Sequence, residues 1–197
     1  MENLHLIVGL GNPGSDYSGT RHNAGFLLVD LLASRWRAKW TMEKKFQSRV
    51  ARAERDGRRV VLCQPQTYMN ASGEAVGALV GFYRVAVGKL MVVVDDADLP
   101  LGEVRLRARG SSGGHHGLES LEQQLATQDF ARLRLGIGRA ASDVRRITNH
   151  VLGSFSAAET KLLEKVLTRA GDQVECWLTA GIGNAMNQFN GVIRDSA

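Results

Sequence analysis

The chain has 197 residues, of which 44% are hydrophobic, and its formal net charge is +5. This length favours one well-buried core, so we expect a single domain over residues 1–197. The beginning of the chain has no secretory pattern, and no apolar run approaches the roughly 20 residues that span a membrane. We therefore expect a soluble cytoplasmic protein without membrane contact, and the positive charge favours an anionic partner such as nucleic acid.

Short β-rich runs alternate with longer helical patterns along the chain. The pattern predicts strands or extended segments at residues 6–10, 48–53, 59–63, 90–94, 104–109 and 133–137. It predicts helices at residues 24–36, 75–83, 117–125 and 157–178, the last one opened by a capping box at Ser156 and Glu159. Residues 54–57 predict a hairpin turn. This order of elements predicts an α/β fold, a single-domain three-layer α/β/α arrangement with a mixed, mostly parallel twisted sheet.

Gly9, Gly11 and Gly14 follow the first predicted strand with the spacing of a dinucleotide-binding loop. Such a loop needs a helix directly after its last glycine and an acidic residue at the end of the second strand. Here helical periodicity begins only near Phe26, and the nearest acidic residue beyond the helix start, Asp30, lies inside that helix. The hypothesis of a nucleotide-dependent oxidoreductase therefore rests on glycine spacing alone. It stays an alternative, which a titration with NAD(P) would test.

Each of the three prolines lies in a loop shortly after an apolar run, and ligands of open α/β sheets bind beyond the carboxyl ends of the strands. These loops and the start of the first predicted helix carry Asn12, His22, Met69, Asn70, Asp95, Asp96 and Asp98. A helix N-terminus disfavours the imidazolium, so His22 can accept a proton near neutral pH, and Asp95 can orient its ring. The alternative is structural, with His22 as a helix cap and the two aspartates in a surface turn.

Arginines alternate with apolar residues in two of the predicted strands. They are Arg105, Arg107 and Arg109 in the first strand, and Arg132 and Arg134 in the second. The guanidinium fork suits phosphate oxygens, so these strands could follow a phosphate backbone. The alternative is a solvated face of the sheet.

A segment rich in glycine and serine, residues 110–117, lies between these two strands in the sequence and runs into a predicted helix. Backbone N–H groups before a helix suit an anion such as a phosphate. His115 and His116 are adjacent in this loop, and neighbouring residues do not easily chelate one ion. We therefore expect no metal.

Six motifs together resemble the bacterial peptidyl-tRNA hydrolase family, in the family's order and over nearly the whole chain. They are GLGNPG at residues 9–14 with Tyr17, TRHNAG at 20–25, YMNASG at 68–73, DDADLP at 95–100, GGH at 113–115 and RLGIG at 134–138. The resemblance implies a monomeric α/β protein with a mixed sheet. It also implies hydrolysis of the ester between a peptide and the 3′-terminal ribose of tRNA, without metal or cofactor.

The resemblance also assigns roles to individual residues. It makes His22 the base that activates water and Asp95 its supporting carboxylate. It implies substrate contacts for Asn12, Tyr17, Tyr68, Met69, Asn70, His115 and His116. It implies that Arg107 and Arg134 bind phosphates of the tRNA.

Two positions depart from the family pattern. His116 stands where the family usually has asparagine, and Ala140 replaces a usual proline before a region, residues 141–149, that the resemblance implies is mobile. Relatives with this fold exist that serve RNA splicing without hydrolase activity. An inactive RNA-binding protein is therefore the second hypothesis, against which the presence of Asn12, His22, Asn70 and Asp95 argues.

Overall fold

The computed structural model describes residues 4–138 and 149–193, so Ala140 and most of the region expected to be mobile lie outside the described residues. The described strands are β1 (Leu4–Gly9), β2 (Trp40–Glu43), β3 (Ser48–Arg55), β4 (Arg58–Pro65), β5 (Leu90–Asp96), β6 (Glu103–Arg107), β7 (Ala131–Gly136) and β8 (Gly191–Val192). The α-helices, numbered in chain order, are α1 (Ala24–Arg35), α2 (Ser72–Tyr83), α3 (His116–Leu125), α4 (Ala157–Ala180) and α5 (Ile182–Phe189).

Every strand and helix predicted from the sequence is present, with ends that move by a few residues. The capping box is confirmed, since Ser156 and Glu159 exchange side-chain and backbone hydrogen bonds. The predicted hairpin is also confirmed, with its turn at Asp56 and Gly57, both at positive φ. Elements β2, α5 and β8 were not predicted.

The sheet has the order β2-β3-β4-β1-β5-β7-β6-β8. The central neighbours β4, β1, β5 and β7 pair in parallel. Antiparallel pairs flank this centre on both sides, β2 and β3 at one edge and β6 and β8 at the other. Only β3 and β6 are reversed, so six of the eight described strands share one direction. The prediction of a mixed, mostly parallel sheet is confirmed.

Helices cover both faces of the sheet. Ile7 belongs to the core under α1 and α4, whereas its neighbours Leu6 and Val8 belong to the core under α2 and α3. Successive strand residues point to opposite faces, and each such fully buried aliphatic side chain contributes about 1.5–3 kcal/mol. The predicted three-layer arrangement is therefore confirmed. Among the helices of the described chain, none has the length and apolar character needed to cross a membrane.

Close contact between β1 and the start of α1 explains two glycines of the first motifs. A Cβ atom on Gly9 would collide with the carbonyl group of Gly25. A Cβ atom on Gly25 would lie 2.5 Å from the carbonyl oxygens of Leu10 and Val93. These glycines thus let the first turn of α1 approach the carboxyl ends of β1 and β5.

Candidate active site

Asp95 joins two histidines from distant parts of the chain. Its side chain lies at the end of β5 and is only 3% exposed. The Oδ1 atom of Asp95 lies 2.8 Å from His22 Nδ1 and 3.1 Å from His115 Nε2. His22 sits in a single 3-10 turn, Arg21–Asn23, directly before α1, and His115 is the N-cap of α3. Three predicted site residues therefore meet at one carboxylate oxygen.

The hydrogen-bond pattern assigns the tautomers of both rings. His115 Nδ1 accepts a hydrogen bond from the backbone N–H of Leu118 at 3.4 Å, which places the proton of His115 on Nε2, facing Asp95. His22 likewise donates from Nδ1 to Asp95. Neutral His22 is then left with a lone pair on Nε2, the atom that a base uses to accept a proton.

The charges of this cluster shift the pKa values of His22 and Asp95 in opposite directions. Burial lowers the pKa of His22, but the Asp95 charge and hydrogen bond together outweigh it, and the net shift is upward from the ordinary value. Burial alone would raise the pKa of Asp95. The His22 charge and the hydrogen bonds from His115 and His22 hold that pKa well below its usual range. Asp95 is therefore ionised at neutral pH and stabilises a proton on His22.

The backbone of Asn12 is held by Asn23, a residue that sequence reasoning missed, and its side chain is held by the Met69 N–H. Asn23 Oδ1 accepts a hydrogen bond from the Asn12 N–H at 2.8 Å, and Asn23 Nδ2 donates to the Asn12 carbonyl at 3.0 Å. The Asn12 Oδ1 atom accepts from the Met69 N–H at 2.8 Å. The amide nitrogen of Asn12 is thus the group left to bind a ligand. The signal for Asn23 was its place directly after His22 in the TRHNAG motif.

Two of the predicted substrate residues, Asn70 in the 3-10 turn Met69–Ala71 and Tyr68 directly before it, face solvent. Tyr68 is 64% exposed and Asn70 is exposed, whereas Met69 is buried. A Cβ atom on Gly117 would lie 2.6 Å from Met69 Sδ, so Met69 packs against the start of α3. Tyr17, in the 3-10 turn after the GLGNPG motif, is half-buried.

The atoms of His22, Asp95 and His115 that can bind a metal lie within 4.8 Å of one another. Two histidines and a carboxylate are a donor set that zinc accepts. Both histidine nitrogens, however, face the same Asp95 oxygen at hydrogen-bond distance, so an ion would have to replace two protons. The hydrogen bonds account for this cluster without an ion.

The arginines of β6 and β7 differ in what they contact. Arg107 is exposed, and it has no ion-pair partner within residues 4–138 and 149–193. Arg134 donates to Asp96 Oδ2 at 3.2 Å and to the carbonyls of Ser111 and Ser112 at 2.9 and 3.0 Å. Arg134 therefore holds the glycine-rich loop beside the residue that follows Asp95.

Two expectations about the arginine strands are wrong. Arg132 is 1% exposed and binds Glu122 Oε1 at 3.2 Å and the Gln128 carbonyl at 2.9 Å, because α3 covers its side of the sheet. It is not part of a phosphate-binding face. Strand β6 ends at Arg107, so Arg109 lies beyond the strand and the alternation stops earlier than predicted.

His116 lies apart from the Asp95 cluster although it follows His115 directly. Its side chain is 76% exposed, and Nδ1 lies 3.0 Å from Glu119 Oε2 one turn along α3. The structure thus places His115 inside the Asp95 cluster and His116 on the surface of the protein.

A cavity of about 250 Å³ lies beside Asn12 and Asn23. Phe26, Arg49 and Gln64 also line it, but its lining includes neither His22 nor Asp95. The histidine–carboxylate cluster therefore does not line this cavity.

The fold and the site define an α/β protein with a histidine–carboxylate pair at the carboxyl ends of central parallel strands. Residues 6–196 match the family model described as peptidyl-tRNA hydrolase. The chain is 49% identical to a peptidyl-tRNA hydrolase of Synechococcus sp. (strain JA-3-3Ab), over 95% of this chain and 83% of that protein. It is 45% identical to one of Geobacillus kaustophilus, over 95% and 100% of the two chains.

Solved structures agree with these sequence relatives. The crystal structure of peptidyl-tRNA hydrolase from Acinetobacter baumannii matches with a TM-score of 0.92 at 38% identity, over 98% of this chain and 97% of that one. The chain belongs to the peptidyl-tRNA hydrolase family, and the resemblance noted in the sequence is confirmed.

Proposed function

We propose that this chain hydrolyses the ester between a peptide, or an N-acylated amino acid, and the 3′-terminal ribose of tRNA, recycling tRNA during translation. Family membership supports this reaction. The observation that carries the mechanism is the 2.8 Å contact between His22 Nδ1 and Asp95 Oδ1. This contact leaves Nε2 of His22 as the base and gives the imidazolium a buried counter-charge.

The reaction follows from that arrangement. His22 Nε2 takes a proton from water while the water oxygen attacks the ester carbonyl, and the carbonyl oxygen gains negative charge. When the tetrahedral intermediate collapses, the ribose oxygen leaves and takes the proton back from His22. The products are tRNA and the peptide carboxylic acid, which releases its proton to solvent and becomes a carboxylate. Asp95 stays ionised throughout and stabilises His22 in its charged form.

Asn12 and Asn70 are proposed to bind the substrate near the scissile ester. The Asn12 amide nitrogen points away from the Met69 contact that holds its oxygen, so it can donate to the substrate carbonyl or to the developing oxyanion. We further propose that Tyr17, Tyr68 and His116 border the substrate, that Met69 supports the wall from beneath, and that His115 binds substrate or orders the attacking water.

Arg107 and Arg134 are proposed to bind phosphates of the tRNA acceptor end. Arg107 is exposed and can meet a phosphate directly. Arg134 already holds the glycine-rich loop, so it acts on the same surface partly through the position of that loop. The formal net charge of +5 favours an RNA partner.

We also propose that residues 1–197 form one domain that acts as a cytoplasmic monomer, without metal or cofactor. All the groups of the proposed reaction come from one chain, which supports action as a monomer. His22 and Asp95 already supply base and counter-charge, which supports a reaction without metal.

The test compares N-acetyl-aminoacyl-tRNA with the unblocked aminoacyl-tRNA, each with and without a chelator. We expect turnover of the blocked substrate and poor reaction of the other, because a free ammonium would lie where the peptide amide belongs. Binding of tRNA without any turnover would favour the RNA-binding alternative. Equal hydrolysis of both substrates would contradict the proposed substrate, and loss of turnover with chelator would contradict the metal-free mechanism.

A further inference from the structure

Three consecutive residues fix the 3-10 turn that carries His22, and each reaches a different part of the molecule. Asn23 binds the backbone of Asn12, and His22 meets Asp95. Arg21 reaches in another direction, to the chain before α4 and to its first turn. His22 is thus held between two attachments.

Arg21 makes its attachment through both backbone and side chain. Its N–H donates to the Gly153 carbonyl at 3.0 Å. Its Nη2 lies 3.0 and 2.9 Å from the two oxygens of Glu159, and its guanidinium lies over the Phe155 ring, 5.2 Å from the centroid. The Arg21 side chain is largely buried. Charge-assisted hydrogen bonds of this kind are shorter and stronger than neutral ones.

Glu159 is itself a fixed partner. Its Oε2 atom accepts the Ser156 N–H at 2.7 Å, and its own N–H donates to Ser156 Oγ. The Ser156 backbone hydrogen bond and the Arg21 side chain lower the pKa of Glu159 to about 2. The carboxylate therefore stays charged at neutral pH, and its position is set by the first turn of α4.

We propose that Arg21 is a positioning residue for His22, because its bonds to Glu159 and Gly153 fix the turn that keeps His22 Nδ1 on Asp95. This inference rests on the proposed function of His22 as the base. A displacement of about 1 Å in a reacting group can cost about 10²-fold in rate. Loosening Arg21 is therefore expected to lower kcat more than substrate affinity.

The chain offers a matched control at the other end of α1. Arg35 also joins this helix to α4, with Nη1 at 2.8 Å from Asp172 and 3.4 Å from Glu175. A helix of 12 residues is about 18 Å long, which separates Arg35 from the turn of His22. Both arginines pair with α4, but only Arg21 is next to the base.

The experiment compares Arg21→Gln with Arg35→Gln in the full chain. We expect both to lower the melting temperature, and only Arg21→Gln to lower kcat, by about 10- to 100-fold, with KM changed less than about threefold. Only Arg21→Gln should shift or broaden the NMR signal of the His22 Nδ1 proton, and Arg21→Lys should recover part of kcat. A loss of melting temperature in Arg21→Gln with kcat and the proton signal unchanged would overturn the proposal.

A second pair of variants serves if Arg21→Gln does not fold. Glu159→Gln weakens the pair with Arg21, whereas Ser156→Ala removes the cap and keeps the pair. Only Glu159→Gln should lower kcat and shift the His22 proton signal, and equal effects of the two variants would contradict the proposal. A wild-type protein without turnover would refute the proposed function alone, because the proton signal still reports whether Arg21 holds His22.

Discussion

The Asp95 cluster and the arginine surface, which is the part of β6 around the exposed Arg107, lie on the same sheet but depend on different physical effects. In the cluster, a buried carboxylate oxygen meets two ring nitrogens at 2.8 and 3.1 Å. On the arginine surface, Arg107 is exposed and carries its charge into solvent. The activity of the cluster therefore depends on the distances between its atoms, whereas phosphate binding at the arginine surface depends on charge and on salt concentration. Changes in the cluster should act on kcat, and changes on the surface should act on KM.

The largest effect is expected from His22→Ala. Removal of a general base typically costs about 10²–10⁴-fold in rate. His115, the other histidine at Asp95, has both ring nitrogens in hydrogen bonds, to Asp95 and to the Leu118 N–H, so it does not replace His22. Hydrolysis of N-acetyl-aminoacyl-tRNA by purified protein measures this loss. Arg35→Gln, at the far end of α1 and outside the site, is the control and should keep most of the activity. Equal activity of the two variants would remove His22 from the reaction.

A smaller effect of a different kind is expected from Arg107→Ala. Loss of one phosphate contact should raise KM by a few-fold and reduce the salt dependence of tRNA binding by about one unit of slope, with kcat nearly unchanged. Arg105→Ala is the control, because Arg105 already pairs with Glu103 at 2.8 Å. The same salt slope in wild type and Arg107→Ala would exclude a phosphate contact at Arg107.

The smallest effect is expected from His116→Asn, which restores the residue usual in the family. The exposed pair with Glu119 contributes little to stability, and the ring does not touch Asp95. Activity should therefore change by less than about threefold, in line with the small free energies of exposed ion pairs. A gain of more than about tenfold in kcat/KM would instead show that the asparagine makes a substrate contact that His116 cannot replace.

Most of the fold could be predicted from hydrophobic periodicity, and the exceptions have physical causes. Strand β2 is mostly exposed at the edge of the sheet, so its residues show no clear alternation. Helix α5 follows α4 after Gly181 alone, and β8 has only two residues. Such short elements at the end of the chain are fixed by packing against β6 and α4, which local patterns do not report.

Only part of the site could be predicted from the sequence. Loop position and chemistry brought His22 and Asp95 together, since the carboxyl ends of neighbouring strands share an edge. The sequence could not show that Asn23 orients Asn12, or that Arg132 is buried while Arg134 holds a loop. These outcomes depend on contacts between residues far apart in the chain.

The most direct test of the account is the pH dependence of kcat/KM in wild type and in Asp95→Asn. His22 must be neutral to act as a base, so activity rises with pH through its pKa, which Asp95 holds above the ordinary value. In Asp95→Asn the charge is lost and the burial remains, so the acid limb should move to lower pH while the maximal rate falls. An acid limb at the same pH in both proteins would contradict the role of Asp95 and the proposed base with it.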